Sequence, residues 1–359
     1  MQDRPKPDAR RRLPALDLKR RKNFSPHVVL VGAGASRAAL PHGDPLGRKV
    51  PVLDDLVELV GLTSLLLEAG VDHAKNFEAV YDSLASRGDS DLLRRIEERV
   101  YKYFSALQLP AEATAYDRLI VSLRETDLIA SFNWDPLLPL AYRRLAHVGP
   151  LPEIVFLHGN VSVGICRKDR IKGFKEDGCR VCGQALEPTR LLYPVRRKDY
   201  DIDPFIRNEW AVLRDRLREA YLLTIFGYRA PMTDKVAMAA LRDSWQQNRS
   251  FDLAEIEIIN IEPRRNIVKT WREFFCRDHF AISRTLSGSF LNRHPRRSGE
   301  AFAFASLQCA PWKDNFLPRY RSVERLLRWV QPLLTEEAQD AFTGDPCAPV
   351  PRRRGLRRG

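Results

Sequence analysis

Five short apolar segments, separated by amphipathic helical segments, predict an α/β fold with a parallel sheet and helices on both of its faces. The first of them, His27–Val31 (HVVLV), is a continuous apolar run that stops at a glycine, as strands buried on both faces do. Of the 359 residues, 44% are hydrophobic and 29% are charged, which allows a sizeable core. This composition excludes a wholly disordered chain.

The spacing of apolar residues assigns the remaining elements in chain order. Most of residues 52–125 shows the three- and four-residue spacing of amphipathic helices, which predicts a helical insertion after the first strand. Later strands are expected at Asp127–Phe132, Glu153–Leu157, Tyr221–Phe226 and Glu255–Ile261, and later helices at Phe205–Glu219, Lys235–Gln247, Ile267–Asp278 and Val323–Leu334. We expect the helix that begins at Ile267 to end the sheet region.

These elements predict one sheet domain over residues 27–298, which contains the helical insertion and a small cysteine-bearing module at about 160–200. A helical extension is expected at 299–345. No apolar run approaches the ~18 residues of a membrane span, and no secretory signal is evident. We therefore expect a cytoplasmic protein that makes no membrane contact.

The net charge of +13 lies mainly at the two ends of the chain. Residues 1–27 hold nine Lys and Arg against three Asp, and residues 351–359 hold five Arg and no acid. We expect disordered basic tails at 1–26 and 346–359. Such tails can contact nucleic acid or an acidic partner, and the alternative is that they only aid solubility.

The residues just after each strand are candidate ligand contacts, because open parallel sheets bind ligands beyond the carboxyl ends of their strands. The first strand is followed by small residues that let the backbone approach a pyrophosphate. A dehydrogenase fingerprint would need a glycine where Arg37 stands, which argues against ordinary hydride transfer. A plain tight turn is the alternative. The small residues are Gly32, Ala33, Gly34, Ala35 and Ser36.

Two further strand ends carry groups suited to catalysis. Asn133 and Asp135 lie two residues apart, so both can project from one side of an extended segment and bind hydroxyls, water or a carboxamide. An Asx-type turn at Asp135 is the alternative. His158 follows the third strand and can take a proton near neutral pH, although a structural histidine would also fit there. Gly159 next to it suits close approach by a ligand.

The last two predicted strands end in Gly227 with Tyr228, and in Asn260 with Glu262. Gly227 again permits close approach. A carboxylate such as Glu262 can accept hydrogen bonds from the ribose diol of an adenine dinucleotide, which favours NAD over NADP. A capped strand end is the alternative.

The cysteine module has a spacing that suits a metal. Cys166, Asp169, Cys179 and Cys182 follow the pattern C-x2-D-x9-C-x2-C, and zinc accepts both thiolate and carboxylate ligands. A zinc ion held by all four groups would be structural, because no coordination position stays open for water. A degenerate module without metal is the alternative.

In their order along the chain, GAGAS, NxD, HG, the cysteine cluster and INxE resemble the sirtuin superfamily, from Val28 to Glu262. The resemblance implies a sirtuin-like NAD-binding domain. It implies that the glycine-rich turn and Ser36 hold the phosphates and ribose of NAD, and that Asn133 and Asp135 contact the nicotinamide ribose and carboxamide. His158 would be the base.

Two departures from that family concern the peptide substrate. After the first turn, protein-deacylating sirtuins carry Ile-Pro-Asp-Phe-Arg, where this chain reads RAALPHGDPLGRKVP. After the metal module they carry Phe-Gly-Glu, where this chain reads RLLYPVRRKDY. The combination is similar to the sirtuin-like NAD hydrolases of bacterial anti-phage defence. The resemblance implies cleavage of NAD to nicotinamide and ADP-ribose, with an NAD-dependent protein deacylase or a non-catalytic NAD or ADP-ribose sensor as alternatives.

A defence NAD hydrolase must be restrained until it is triggered. The resemblance therefore implies a homo-oligomer and a regulatory partner protein, for which a DNA-translocating ATPase or an Argonaute-type protein would both fit.

Overall fold

Six parallel strands form the central sheet, in the order β3-β2-β1-β7-β8-β9. The computed structural model describes residues 27–343 apart from 73, 75, 196–199, 202, 249–250, 278 and 309–311, so the basic ends predicted at 1–26 and 346–359 lie outside the described residues. The strands of the sheet are β1 (His27–Val31), β2 (Leu128–Ser131), β3 (Glu153–Phe156), β7 (Leu222–Phe226), β8 (Glu255–Ile259) and β9 (Phe280–Ser283).

The helices cover both faces, as predicted. Residues 52–125 contain five of them: α2 (Leu56–Leu59), α3 (Thr63–Glu68), α4 (Phe77–Arg87), α5 (Ser90–Ala106) and α6 (Ala115–Val121). The others are α1 (Ala33–Ala39), α7 (Leu137–Leu145), α8 (Pro204–Leu217), α9 (Lys235–Gln246), α10 (Arg264–Trp271), α11 (Phe290–Arg293), α12 (Ser298–Gln308) and α13 (Val323–Thr343). No helix in the described part of the chain is both long and apolar enough to cross a membrane.

Alternate residues of β1 point into two separate cores. Val29 and Val31 pack with α1, the helical insertion, α7 and α13, whereas Val28 and Leu30 pack with α8, α9 and α10. This alternation explains why β1 is apolar on both sides. The register sets Val31 beside Ser131 and Phe226, so the carboxyl ends of the neighbouring strands lie level at one edge.

Local sequence signals set several helix boundaries. Asn76 accepts a hydrogen bond from the amide of Ala79 and begins α4, which ends at Gly88 with φ +74°. Thr114 and Asp117 form a capping box at the start of α6. These caps fix both ends of α4 and the start of α6.

The sheet does not end where the sequence predicted. The helix expected over 267–278 begins earlier and stops at Trp271, followed by a 3₁₀ turn at Arg272–Phe274, and β9 then adds a sixth strand. β9 is a four-residue edge strand with no buried residue, and its apolar run, Phe280–Ile282, is only three residues long. α12 lies in the helical extension expected at 299–345, but its bounds were not predicted, because its sequence SGEAFAFASLQ shows little amphipathic periodicity.

The cysteine module is a separate three-stranded antiparallel sheet, made of β4 (Val163–Cys166), β5 (Ile171–Phe174) and β6 (Glu187–Pro188). A buried ion pair joins it to the main sheet. Lys172 Nζ lies 2.8 Å from the Glu209 carboxylate on α8 and donates to the carbonyl of Ile154 at 2.6 Å. The same carboxylate accepts the amide of Phe156 at 2.9 Å. The pair therefore satisfies polar groups on the outer edge of β3, the strand that leads to His158.

Candidate functional site

A cavity of about 650 Å³ opens at the carboxyl ends of the strands. It is lined by residues that follow β1, β2, β3, β7, β8 and β9, together with residues of the helical insertion. Nine of the sequence-predicted site residues line it: Gly32, Ala33, Gly34, Asn133, Asp135, His158, Gly227, Tyr228 and Asn260. Ala35 and Ser36 lie fully buried beneath the turn, and Glu262 pairs with the lining residue Arg229.

The glycine-rich turn packs backbone to backbone against the loop after β7. The amide of Gly32 donates to the Phe226 carbonyl at 3.0 Å, and the amide of Gly34 donates to the Gly227 carbonyl at 2.9 Å. A Cβ atom on Gly34 would lie 2.9 Å from Gly227 Cα, and one on Gly227, which has φ +65°, would lie 2.2 Å from the amide nitrogen of Ala35. These glycines are required for the two loops to meet.

The fold of the chain also requires a glycine at Gly159. Its φ is +73°, and a Cβ atom there would lie 2.0 Å from the carbonyl oxygen of Arg190. The close approach that the sequence assigned to a ligand is made by the chain's own backbone.

Asn133 is held in one orientation by three oxygen atoms. Its Nδ2 lies 2.9 Å from the carbonyl oxygen of Gly32, 2.9 Å from Ser36 Oγ and 3.0 Å from Tyr116 Oη, and its two N–H groups are shared among these three oxygens. The Gly32 carbonyl can only accept, so the nitrogen must face it and the amide cannot be flipped. The Oδ1 atom is then the polar atom that Asn133 offers to the cavity.

Asp135 lies beside the same network. Ser36 Oγ donates to its Oδ2 at 2.6 Å, and the amide of Leu137 donates to its Oδ1 at 3.1 Å. Burial raises the pKa of Asp135 to about 6, although those two hydrogen bonds oppose the shift. The Asx turn considered from the sequence is therefore present, and the carboxyl group also lines the cavity.

The backbone of the Asn133–Asp135 segment is fixed from the next strand end. Asn160 Nδ2 donates to the carbonyl of Asp135 at 2.6 Å and to that of Asn133 at 3.2 Å. Asn160 is 1% exposed, so it acts on the spacing of the two side chains without reaching the cavity.

Aromatic rings pack around the His158 side chain. Its ring stacks on Tyr200 with 5.9 Å between centroids and meets Phe132 edge-on at 5.0 Å. Its Nε2 lies 3.3 Å from Tyr200 Oη and 3.9 Å from Asp234 Oδ1. Phe132 in turn stacks on Tyr228, with 4.1 Å between centroids and 4° between planes.

Three arginines lie around the cavity. Arg37 donates to the Val50 carbonyl and pairs with Asp55, which ties α1 to the insertion. Arg229 pairs with Glu262 at 2.6 Å. Arg284, which follows β9, is exposed and lines the cavity.

The predicted zinc ligands come together. The four ligand atoms, three sulfurs and one carboxylate oxygen, all lie within 4.8 Å of one another. Cys166 Sγ is 3.7 Å from Cys182 Sγ, and Asp169 Oδ2 is 3.1 Å from Cys179 Sγ. Such separations suit a tetrahedral zinc at about 2.3 Å from sulfur and about 2.0–2.2 Å from oxygen. The donor set therefore fits a structural zinc.

Sequence reasoning missed Tyr116, Tyr200 and Asp234. Tyr116 comes from α6 of the insertion, and Tyr200 and Asp234 come from segments that precede α8 and α9. None of them directly follows a strand, which is the position where a parallel sheet is expected to contact its ligand.

No protein-family model matches the chain, and no curated protein matches its sequence. The solved structures that match include a Sir2 homologue with 2′-O-acetyl-ADP-ribose, at 14% identity and a TM-score of 0.40 over 86% of this chain and 93% of that chain. They include a Sir2 homologue–NAD complex, at 14% identity and a TM-score of 0.35 over 86% and 90%. A Sir2 protein with a deacetylated peptide and 3′-O-acetyl-ADP-ribose matches at 13% identity and a TM-score of 0.36 over 72% and 88%.

Proposed function

We propose that this protein hydrolyses NAD at the nicotinamide–ribose bond and releases nicotinamide and ADP-ribose. The observation that carries the proposal is the meeting of Asn133, Asp135 and His158 in one cavity, next to a glycine-rich turn. An oriented acceptor, a carboxyl group and a histidine are the groups that positioning a substrate and removing a proton require.

Asn133 is assigned to the attacking water or the neighbouring ribose hydroxyl. Because its Nδ2 is committed to protein oxygens, its Oδ1 accepts a hydrogen bond from the ligand. The orientation exists before substrate arrives, so little entropy is lost when the water is positioned.

His158 is assigned the role of the base, which accepts a proton from the attacking water. As the C1′–N bond breaks, its electron pair goes to the nicotinamide nitrogen, and the ribose develops oxocarbenium character. Water then bonds to C1′, and its proton passes to His158 and on to solvent. Asp135 is assigned to the nicotinamide carboxamide, whose N–H groups its carboxylate can accept.

Two features favour water over an acyl-lysine as the second substrate. The His158 side chain is only 7% exposed and is covered by Tyr200. Residues 189–195 form no strand, so they supply no edge on which a peptide could pair as an added strand. Both agree with the absence of the Phe-Gly-Glu sequence from this segment.

The proposal extends to the biological setting implied by the sequence resemblance, an NAD-depleting effector in anti-phage defence. Unrestrained cleavage of NAD would harm the host cell. We therefore propose a homo-oligomer controlled by a regulatory partner protein, with the structural zinc serving only to fold the cysteine module.

Chromatography of the reaction products tests the activity. The purified protein, with and without an acetyl-lysine peptide, is incubated with NAD, and nicotinamide, ADP-ribose and acetyl-ADP-ribose are separated. Equal release of nicotinamide and ADP-ribose in the peptide-free reaction is expected. Acetyl-ADP-ribose formed only with peptide would replace hydrolysis with deacylation.

A further inference from the structure

A second carboxylate lies beside the histidine of the site. Asp234, just before α9, lines the cavity and is 2% exposed. Its Oδ1 lies 3.9 Å from His158 Nε2. This separation is too long for a hydrogen bond, yet it lies within the range of an ion pair once the imidazole is protonated.

A series of contacts that runs from Asp234 through Tyr228 and Phe132 to His158 fixes the position of this carboxylate. Tyr228 Oη donates to Asp234 Oδ2 at 2.7 Å, so the other oxygen is the one that faces the imidazole. The Tyr228 ring stacks on Phe132, and Phe132 contacts the edge of His158. Each member of this set therefore restrains the next.

Other titratable groups surround the pair. Tyr200 lies 3.3 Å from His158 Nε2, and burial raises its pKa, so it stays a neutral phenol at neutral pH. Burial and Asp234 likewise hold the pKa of Tyr228 well above its usual value. From α4, Glu78 accepts the amide of Thr233, and Asp135 lines the same cavity after β2.

We infer that Asp234 is the positioning residue of His158: its carboxylate stabilises the imidazolium that forms when His158 accepts a proton. The catalytic meaning of this pair rests on the proposed function. The charge pair itself does not depend on that function, because the pKa of His158 can be measured without substrate. An opposite charge about 4–6 Å away raises the pKa of a histidine by about one to three units.

NMR titration of the histidine side chains in the full-length protein tests the inference. The His158 signal is assigned by its loss in His158→Gln. Asp234→Asn is expected to lower the pKa of His158 by about one unit or more, and Asp234→Glu, which keeps the charge, should restore most of the shift. Asp243→Asn is the matched control, because it removes the same charge from an exposed position on α9 and should change nothing.

An unchanged His158 pKa in folded Asp234→Asn would overturn the inference. If that variant does not fold, the wild-type protein decides: the side-chain carboxyl carbon signal of Asp234 must follow the His158 titration with the same midpoint. A carboxyl signal that ignores that midpoint would overturn the inference equally.

The pH dependence of turnover separates this inference from the proposed function. In Asp234→Asn the acidic limb of the kcat/KM profile, which reports the free enzyme, should move to lower pH by the same amount as the pKa of His158. A wild-type protein that releases no nicotinamide would remove the proposed function and leave the charge pair standing. If the wild-type protein releases nicotinamide but the pKa of His158 is unchanged in Asp234→Asn, only the inference is removed.

Discussion

Asn133 and His158 are the two residues whose loss should stop turnover without unfolding the protein. Removal of a positioned base typically lowers a rate by about 10²–10⁴-fold, and we expect His158→Ala to fall in that range. Asn133→Ala should lose a comparable factor, because it removes the oriented acceptor while its neighbours Ser36 and Tyr116 still bond to each other.

His147→Ala is the control for this pair, since His147 is exposed on the segment after α7. It should retain full activity. Circular dichroism should show native spectra for all three variants. If both site variants lose their fold, these residues are structural.

His27 gives a prediction about pH and stability. It is fully buried between Ser298 Oγ and Thr224 Oγ1, both at 2.7 Å, and burial lowers its pKa to about 3. The unfolded chain takes up a proton below about pH 6.5, whereas the folded chain does not do so until about pH 3. The contribution of His27 to the free energy of unfolding is therefore complete above about pH 6.5. It falls as the pH decreases, because the unfolded chain binds the proton and the folded chain does not.

The expected loss between pH 7 and pH 5 is about 2 kcal/mol relative to His27→Gln, which does not titrate. Urea unfolding of both proteins at the two pH values measures it. Parallel pH dependences of the wild-type protein and the variant would contradict the prediction.

The positions of the candidate site residues could be predicted from the sequence because each follows a strand. Parallel strands end at one edge, so Asn133 and His158 had to lie near each other once the strands were assigned. The partners that orient them could not be predicted, because Tyr116, Tyr200 and Asp234 come from helical or irregular segments without a motif. Ser36 was expected to contact NAD, yet its Oγ bonds to Asp135 and Tyr116 below the cavity surface.

Among the elements, the cysteine module should depend on its metal. Cys179→Ser removes one of the four donor atoms and should release the zinc and lower the melting temperature. A shift of about 1 °C is expected for each kcal/mol lost, because the unfolding entropy grows with chain length at about 2.1 cal/mol/K per residue. Elemental analysis and thermal unfolding measure the two effects, with Cys276→Ser, which lies outside the cluster, as the control. A metal-free wild-type protein with an unchanged melting temperature in the variant would show that the module needs no zinc.

The Lys172–Glu209 pair should behave as a buried ion pair at the edge of the sheet. Lys172→Met leaves the Glu209 carboxylate buried without its cation, which should cost about 3–5 kcal/mol. Adding Glu209→Gln removes that charge but keeps an acceptor for the Phe156 amide, so the double variant should be more stable than Lys172→Met alone. Urea unfolding of the four proteins of this cycle measures the coupling. If the losses in the free energy of unfolding of the two single variants simply add in the double variant, the predicted coupling is contradicted.

The strands of the sheet that are buried on both faces could be predicted from their apolar runs, and β1 has the predicted bounds. β9 could not, because it is an edge strand with no buried residue and its apolar run is only three residues long. The alternation of Val28 and Val29 between two cores is what makes the buried strands recognisable. The pairing of the cysteine module with β3 through Lys172 also had no sequence signal, because a single lysine in a short polar strand is ordinary.

At the scale of the whole molecule, the basic ends should be dispensable for NAD cleavage. Most of the +13 net charge lies in residues 1–27 and 351–359, so the cavity does not depend on the tails for its charge. Deletion of residues 1–23 and 351–359 should leave specific activity within a few-fold. Any DNA binding should disappear, together with its salt dependence of about −0.9 in logarithmic slope per neutralised phosphate. A folded truncated protein without activity would place the tails in the active assembly.

Hydrolysis by water at C1′ is tested most directly in water enriched in heavy oxygen. The protein is incubated briefly with NAD in that water, and the ADP-ribose is analysed by mass spectrometry, with His158→Ala as one control and ADP-ribose kept in the same water as the control for oxygen exchange at C1′. We predict that the released ADP-ribose carries one heavy oxygen atom in the wild-type reaction, and that the variant forms almost none. The absence of nicotinamide release by the wild-type protein, or ADP-ribose that appears only as an acyl ester in the presence of an acylated peptide, would contradict NAD hydrolysis as the function of this site.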